Sequence, residues 1–184
     1  MFQADYTSVL KEIDSVLKSV SQDEADALVK AILSAKRIVL AGAGRVGFAV
    51  RGFAMRLAHL GLSAFALGDA TVPGMKSGDL LVVASGSGET QTILDIVERA
   101  KQDGARIALI TGNPDSRMGH LADFVVKIPA PSKTKAVAGM VSVQPMTTLN
   151  EQCLGIFFDT IVLQLMRTLG ETHDTMWERH SNLE

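Results

Sequence analysis

The chain has 184 residues, 47% of them hydrophobic and 21% charged, with a formal net charge of −2. That length sets a single domain as the expectation, able to bury roughly 70% of its unfolded surface. The near-zero net charge offers no electrostatic footprint for nucleic acid. The one cysteine, Cys153, excludes an internal disulfide framework and fits a reducing cytoplasm.

In chain order, "MFQADYTSVLKEIDSVL" lacks a basic leader followed by an apolar run, so no secretory signal is read there. Val9, Leu10, Ile13, Val16, Leu17 and Val20 recur at helical spacing. Ser21 and Glu24 have the S-x-x-E spacing of a capping box, which starts a second helix. Beyond Ala35, short aliphatic runs alternate with amphipathic ones. "RIVLA", "SAFAL", "DLLVVAS", "RIALIT" and "DFVVKI" read as strands buried on both faces. "RVGFAVRGFAMRLAHLG" and "ETQTILDIVERAKQDG" read as helices that end at glycine.

Strand and helix in alternation predict an α/β fold: a doubly wound, mainly parallel five-stranded sheet with helices on both faces. From Pro129 to Pro145 periodicity is lost over a stretch long enough to imply a functional loop or lid. A long helix from about Thr147 to Leu169 follows, then a polar tail containing Trp177. Cys153 lies in "CLGIFFDTIVLQLM" and reads as an inert core residue. The apolar runs are interrupted before the roughly 20 residues a bilayer requires. The expectation is a soluble, cytoplasmic chain with no membrane partner.

"GAGRVG", from Gly42, matches the G-x-G-x-x-G pattern of dinucleotide loops. Such a loop demands an acidic residue at the end of the second strand, and Asp69 meets that demand. A second loop shifts the reading. "SGSGET", Ser85 to Thr90, places three hydroxyls and two glycines where a helix begins. Backbone amides and the helix dipole make that position a phosphate site. Ser85, Ser87 and Thr90 add donors, and Gly86 and Gly88 let a phosphate approach the backbone. The plain alternative is a hydroxyl-rich helix cap.

These stretches carry a resemblance. "SGSGET" with "ITGNPDSRMGHLADFVV" is similar to sugar isomerase (SIS) domains. Together with "GAGRVGFAVRGFAMRLAHLG", "KSGDLLVVASGSGET", "VQPMTTLNEQ" and "ERHSNLE", it resembles the 6-phospho-3-hexuloisomerase family over most of the chain. The chain departs from the family pattern at Val46, often Ser, and at Asp69, often Glu. The resemblance implies interconversion of D-arabino-hex-3-ulose 6-phosphate and D-fructose 6-phosphate, a step of formaldehyde fixation by the ribulose monophosphate route. It implies no cofactor, no metal and a homo-oligomer, a tetramer. Other SIS sugar-phosphate isomerases, such as phosphoheptose isomerase, and non-catalytic sugar-phosphate sensors are the alternatives.

Moving a carbonyl from C3 to C2 needs a base, donors for the enediolate oxygens and a grip on the phosphate. Glu151 is the base that the family pattern implies; Thr148 and Glu151 also have capping-box spacing. His59 stands where a histidine complements a helix C-terminus, and the resemblance implies an acid/base or hydroxyl-binding role, in a neighbouring subunit's site. His180, in "ERHSNLE", is by composition part of a frayed end and by resemblance functional. Gly44 and Arg45 are expected to face the substrate, the glycine by leaving room for close approach and the guanidinium by binding a hydroxyl or phosphate; the plain alternative for Arg45 is a solvated charge at a helix start. Asp69 is a weak substrate-binding candidate or a turn residue. His120, His173, Lys133 and Lys135 read as solvated.

Overall fold

The computed structural model describes residues 1–131 and 141–183. Two helices come first, α1 (Phe2–Leu17) and α2 (Gln22–Leu33). Five strands follow: β1 (Ile38–Gly42), β2 (Ala64–Ala66), β3 (Leu80–Ala84), β4 (Arg106–Thr111) and β5 (Phe124–Lys127). Helix α3 (Gly44–His59) joins β1 to β2, α4 (Gln91–Gln102) joins β3 to β4, and α5 (Arg117–Leu121) joins β4 to β5. Helices α6 (Thr148–Leu169) and α7 (His173–Trp177) come last.

Every strand pairing is parallel, in the order β2-β1-β3-β4-β5. The aliphatic runs are buried on both sides. Ile38, Leu40, Leu80, Val82 and Ile110 face a core shared with α1, α2, α3 and α6, while Val39, Leu81, Val83 and Leu109 face α4 and Met118 of α5. The strand order reverses between β1 and β3, and ligands of such sheets bind beyond the strand ends at that reversal. The loops after β1 and β3 are "GAGRVG" and "SGSGET".

The helices α3 and α6 lie side by side and run in the same direction. Phe53 and Phe158 stack between them with ring centroids 4.3 Å apart. Apolar composition and length alone would let α6 cross a bilayer, contrary to the sequence expectation. Its Leu149, Cys153, Leu154, Phe157, Phe158, Ile161, Val162 and Leu165 are buried in the first core, so it is apolar as a core helix is. Burial pushes the Cys153 thiol up to about 11, which agrees with an inert residue.

Two local readings change. Ser21 caps α2 by accepting the Glu24 N–H, but the Glu24 carboxylate does not reach back. It accepts the Lys127 N–H instead, at 2.8 Å, because β5 is an edge strand with an amide to satisfy. The polar tail is not frayed. Thr172 and Thr175 form a reciprocal capping box that starts α7. Arg179 then bonds both Glu171 oxygens, at 2.8 and 3.1 Å, and the His59 carbonyl at 2.9 Å. Most of the Pro129–Pro145 stretch, with Lys133 and Lys135, lies outside the described residues.

Candidate active site

The turn after β1 explains its own glycines. A Cβ on Gly47 would sit 2.7 Å from the Gly42 carbonyl oxygen, so glycine is what lets α3 start against the strand. Gly44 has φ +57, and a side chain there would be strained in open space. The pattern is thus one of strand-to-helix packing. Asp69, the residue a dinucleotide would need, lies outside the cleft described next and is paired with Arg51.

A cleft of about 230 Å³ opens between the two loops and the start of α6. Gly44, Arg45, Ser85, Gly86, Ser87, Thr90 and Glu151 all line it. One wall belongs to the Ser85–Thr90 loop. Ser85 Oγ and Thr90 Oγ1 lie 3.4 Å apart, and Thr90, the N-cap of α4, makes no side-chain capping bond. Its hydroxyl therefore remains available beside the positive end of a twelve-residue helix.

The carbonyls of this loop are held from behind. Gly86 O accepts from the Gly112 N–H at 3.1 Å, and Ser87 O accepts from Asn113 Nδ2 at 3.3 Å. Glu89 is bound by the Arg117 backbone N–H at 2.8 Å and by its guanidinium at 2.5 Å. With its acceptors turned to the β4–α5 segment, the loop offers the cleft a surface of donors, as an anion requires.

Gly88 behaves differently from Gly86. It is buried, its N–H donates to Ser85 Oγ at 3.2 Å, and a Cβ there would fall 2.0 Å from Ser116 Oγ. Gly88 packs the loop against the neighbouring turn and does not line the cleft.

The opposite wall carries Glu151. No capping box forms: Thr147 is the N-cap, and the Thr148 hydroxyl accepts from Arg45 at 3.3 Å. The Glu151 carboxylate, its side chain only 13% exposed, accepts from Thr147 Oγ1 at 2.7 Å and lies 3.4 Å from Arg45. Thr147 and Asn150 join the lining unannounced by sequence, and Val46, one of the departures from the family pattern, lines it too. Only the i, i+4 spacing of Thr147 and Glu151 hinted at either of the first two.

His59 and His180 are elsewhere. They meet in a second cleft of about 320 Å³, lined also by Arg56, Met166, His173 and Trp177. The His59 and His180 rings are 5.3 Å apart, and Trp177 stacks on His180 at 4.8 Å. His59 is buried, with Nδ1 3.2 Å from Arg56. Because α3 runs from Gly44 to His59, the two clefts stand at its opposite ends, roughly 22 Å apart along the helix. Among the described residues no group of three or more His, Cys, Asp or Glu side chains could hold a metal ion.

The sequence pattern of the SIS domain matches residues 31–156, which takes in both loops and Glu151. The chain belongs to the SIS domain family. Curated relatives agree over nearly the whole length. A 3-hexulose-6-phosphate isomerase of Bacillus subtilis is 38% identical across 96% of this chain and 95% of its own. One from Mycobacterium gastri is 40% identical across 96% of this chain and 88% of its own. A Methanococcus jannaschii crystal structure, from which a 3-hexulose-6-phosphate isomerase function was inferred, superposes with a TM-score of 0.86 at 29% identity. It covers 98% of this chain and 99% of its own. The fold is therefore a shared family feature.

Proposed function

We propose that this SIS domain interconverts D-arabino-hex-3-ulose 6-phosphate and D-fructose 6-phosphate. The observation that carries the reading is one cleft with a carboxylate on one wall and a donor loop on the other. The phosphate sits at the N-terminus of α4, against Ser85, Ser87 and Thr90. This places the carbon chain across the cleft toward Arg45 and Glu151.

Glu151 removes the proton at C2, and the electron pair flows toward C3 to leave negative charge on O3. Arg45 stabilises that charge, and a hydroxyl proton passes from O2 to O3. The enediolate, its charge now on O2, takes the proton back from Glu151 at C3 as the carbonyl forms at C2. Atoms and charge balance with no redox partner.

The hydroxyl proton needs a second acid/base group, and no histidine of the same chain lines this cleft. His59 and His180 serve a second copy. Phe48 and Met55 on α3 and Ile156 and Leu163 on α6 are exposed apolar residues spaced seven apart. Pairing of this face about a two-fold axis perpendicular to the helices runs the helix pairs antiparallel, so the histidine end of one copy meets the Glu151 end of the other. Two such pairs make the homotetramer. The enzyme works in the cytoplasm, in formaldehyde fixation by the ribulose monophosphate route.

The test is an assay in which a hexulose-phosphate synthase supplies the substrate and fructose 6-phosphate is scored. Formation of fructose 6-phosphate is expected. Conversion of sedoheptulose 7-phosphate in its place, or binding without conversion, would overturn the reading.

A further inference from the structure

Helix α6 begins at the catalytic wall, and the segment that feeds it is not held by burial. Val143 is 72% exposed and Met146 is 80% exposed. Met146 also has φ 56, the only non-glycine residue with positive φ among those described. Such a conformation costs roughly 1 kcal/mol or more and persists only where its surroundings impose it. Something other than apolar packing must hold this entry.

The holder lies on α1, some 130 positions earlier in the sequence. Glu12 Oε1 accepts the Val143 N–H at 2.7 Å. Its Oε2 accepts from Ser142 Oγ at 2.8 Å and from Gln144 Nε2 at 2.9 Å. Ser142 Oγ in turn accepts the Gln144 N–H at 3.0 Å. One carboxylate therefore gathers three donors from three successive residues. Glu12 itself rides on a rigid support, because the adjacent Ile13 and Val16 are buried in the core that contains α6.

We infer that Glu12 is a positioning residue for the reaction, clasping residues 142–144 so that the turn through Met146 aims Thr147 and Glu151 into the cleft. The chain of contacts is continuous. The clasp fixes 142–144, the Thr148 N–H closes a turn on Pro145 O at 3.2 Å, and Thr147 Oγ1 holds the Glu151 carboxylate. The anion loop after β3 has its own supports and makes no contact with Glu12. Loosening the clasp therefore displaces the base while leaving the phosphate grip intact. The inference rests on the isomerase reading above.

The experiment compares kcat, KM and melting temperature for fructose 6-phosphate formation in three variants of the full chain. Glu12→Ala removes the acceptor. Ser142→Ala with Gln144→Ala removes two donors from the surface segment and leaves α1 and its packing untouched. Glu12→Gln keeps a carbonyl acceptor for Val143, with the Gln144 amide free to turn over and accept.

Expected are a kcat reduced roughly ten- to hundredfold in the first two variants, with KM within about twofold, and substantial rescue in Glu12→Gln. Unchanged kcat in both of the first two variants would overturn the inference. So would a kcat loss matched by loss of folded protein, or kcat and KM rising and falling together. An inactive wild-type chain overturns the isomerase reading and this inference with it; an active wild type with indifferent variants overturns the inference alone.

Discussion

The two clefts at the ends of α3 are built in opposite ways. The Glu151 cleft is made mostly of contiguous segments, 43–46, 84–90 and 147–151, each at the start of a helix. Its wall after β3 consists of backbone and hydroxyl groups, which a short motif can encode. The histidine cleft is assembled from long-range contacts. Residues of α3, α6 and α7 converge there, and Arg179 fastens the chain end to the His59 carbonyl. On the proposed reading the difference divides the chemistry: the grip and the carbon base within a chain, and the imidazoles on a surface that faces a second copy.

The largest expected effect sharpens the first cleft. Glu151→Gln should lower kcat by roughly a thousandfold or more at an unchanged melting temperature. Glutamine still accepts from Thr147 but cannot take a proton from carbon. Near-normal turnover would remove Glu151 from the chemistry.

Deleting residues 178–184 probes the other cleft. It takes away His180 and Arg179, so kcat should fall roughly a hundredfold while KM, set at the intact anion loop, changes little. Unchanged kcat would reduce the tail to a structural element.

Gly88→Ala separates packing from binding within the anion loop. The added Cβ would lie 2.0 Å from Ser116 Oγ and 2.5 Å from Ser116 Cβ, at a φ of +67. A stability loss of about 2 to 4 kcal/mol should appear in denaturant titration. A variant as stable as wild type would mean that the loop has room which the structure denies it.

The smallest effect is a control at the far end of the sheet, where Asp79 accepts from Arg37 at 3.1 and 2.5 Å. Burial raises the Asp79 carboxyl pKa, but the Arg37 hydrogen bonds and the Lys76 N–H overcome that, and the pKa is lowered overall. A folded-state pKa below the unfolded one gives stability that is complete above the unfolded value, about 4. That stability is lost as pH falls through the folded value. Asp79→Asn should flatten the acid limb of the stability curve without altering kcat or KM at neutral pH; a changed kcat would tie this end of the sheet to the clefts.

The sequence makes the fold legible because each strand is a short aliphatic run bounded by turn residues. The ends of α3 and α4 were visible in Gly61 and Gly104. That the loop after β3 forms a cleft wall was legible for the same reason, as its hydroxyls lie within six consecutive residues. Thr148 with Glu151 and Ser21 with Glu24 misled in part. Capping-box spacing permits a local bond, but Arg45 and the edge amide of Lys127 offered better partners. Glu12 and the tail were opaque because their partners lie 120 to 132 positions away. No local pattern encodes such distances.

The split-site account is tested most directly by mixing two inactive variants, Glu151→Gln and His59→Asn, and letting subunits reassemble. If each site takes its carboxylate from one copy and its imidazole from another, a mixed pair holds one fully wild-type site. Random pairing then restores about a quarter of wild-type activity. Mixtures as inactive as the separate variants would contradict the account.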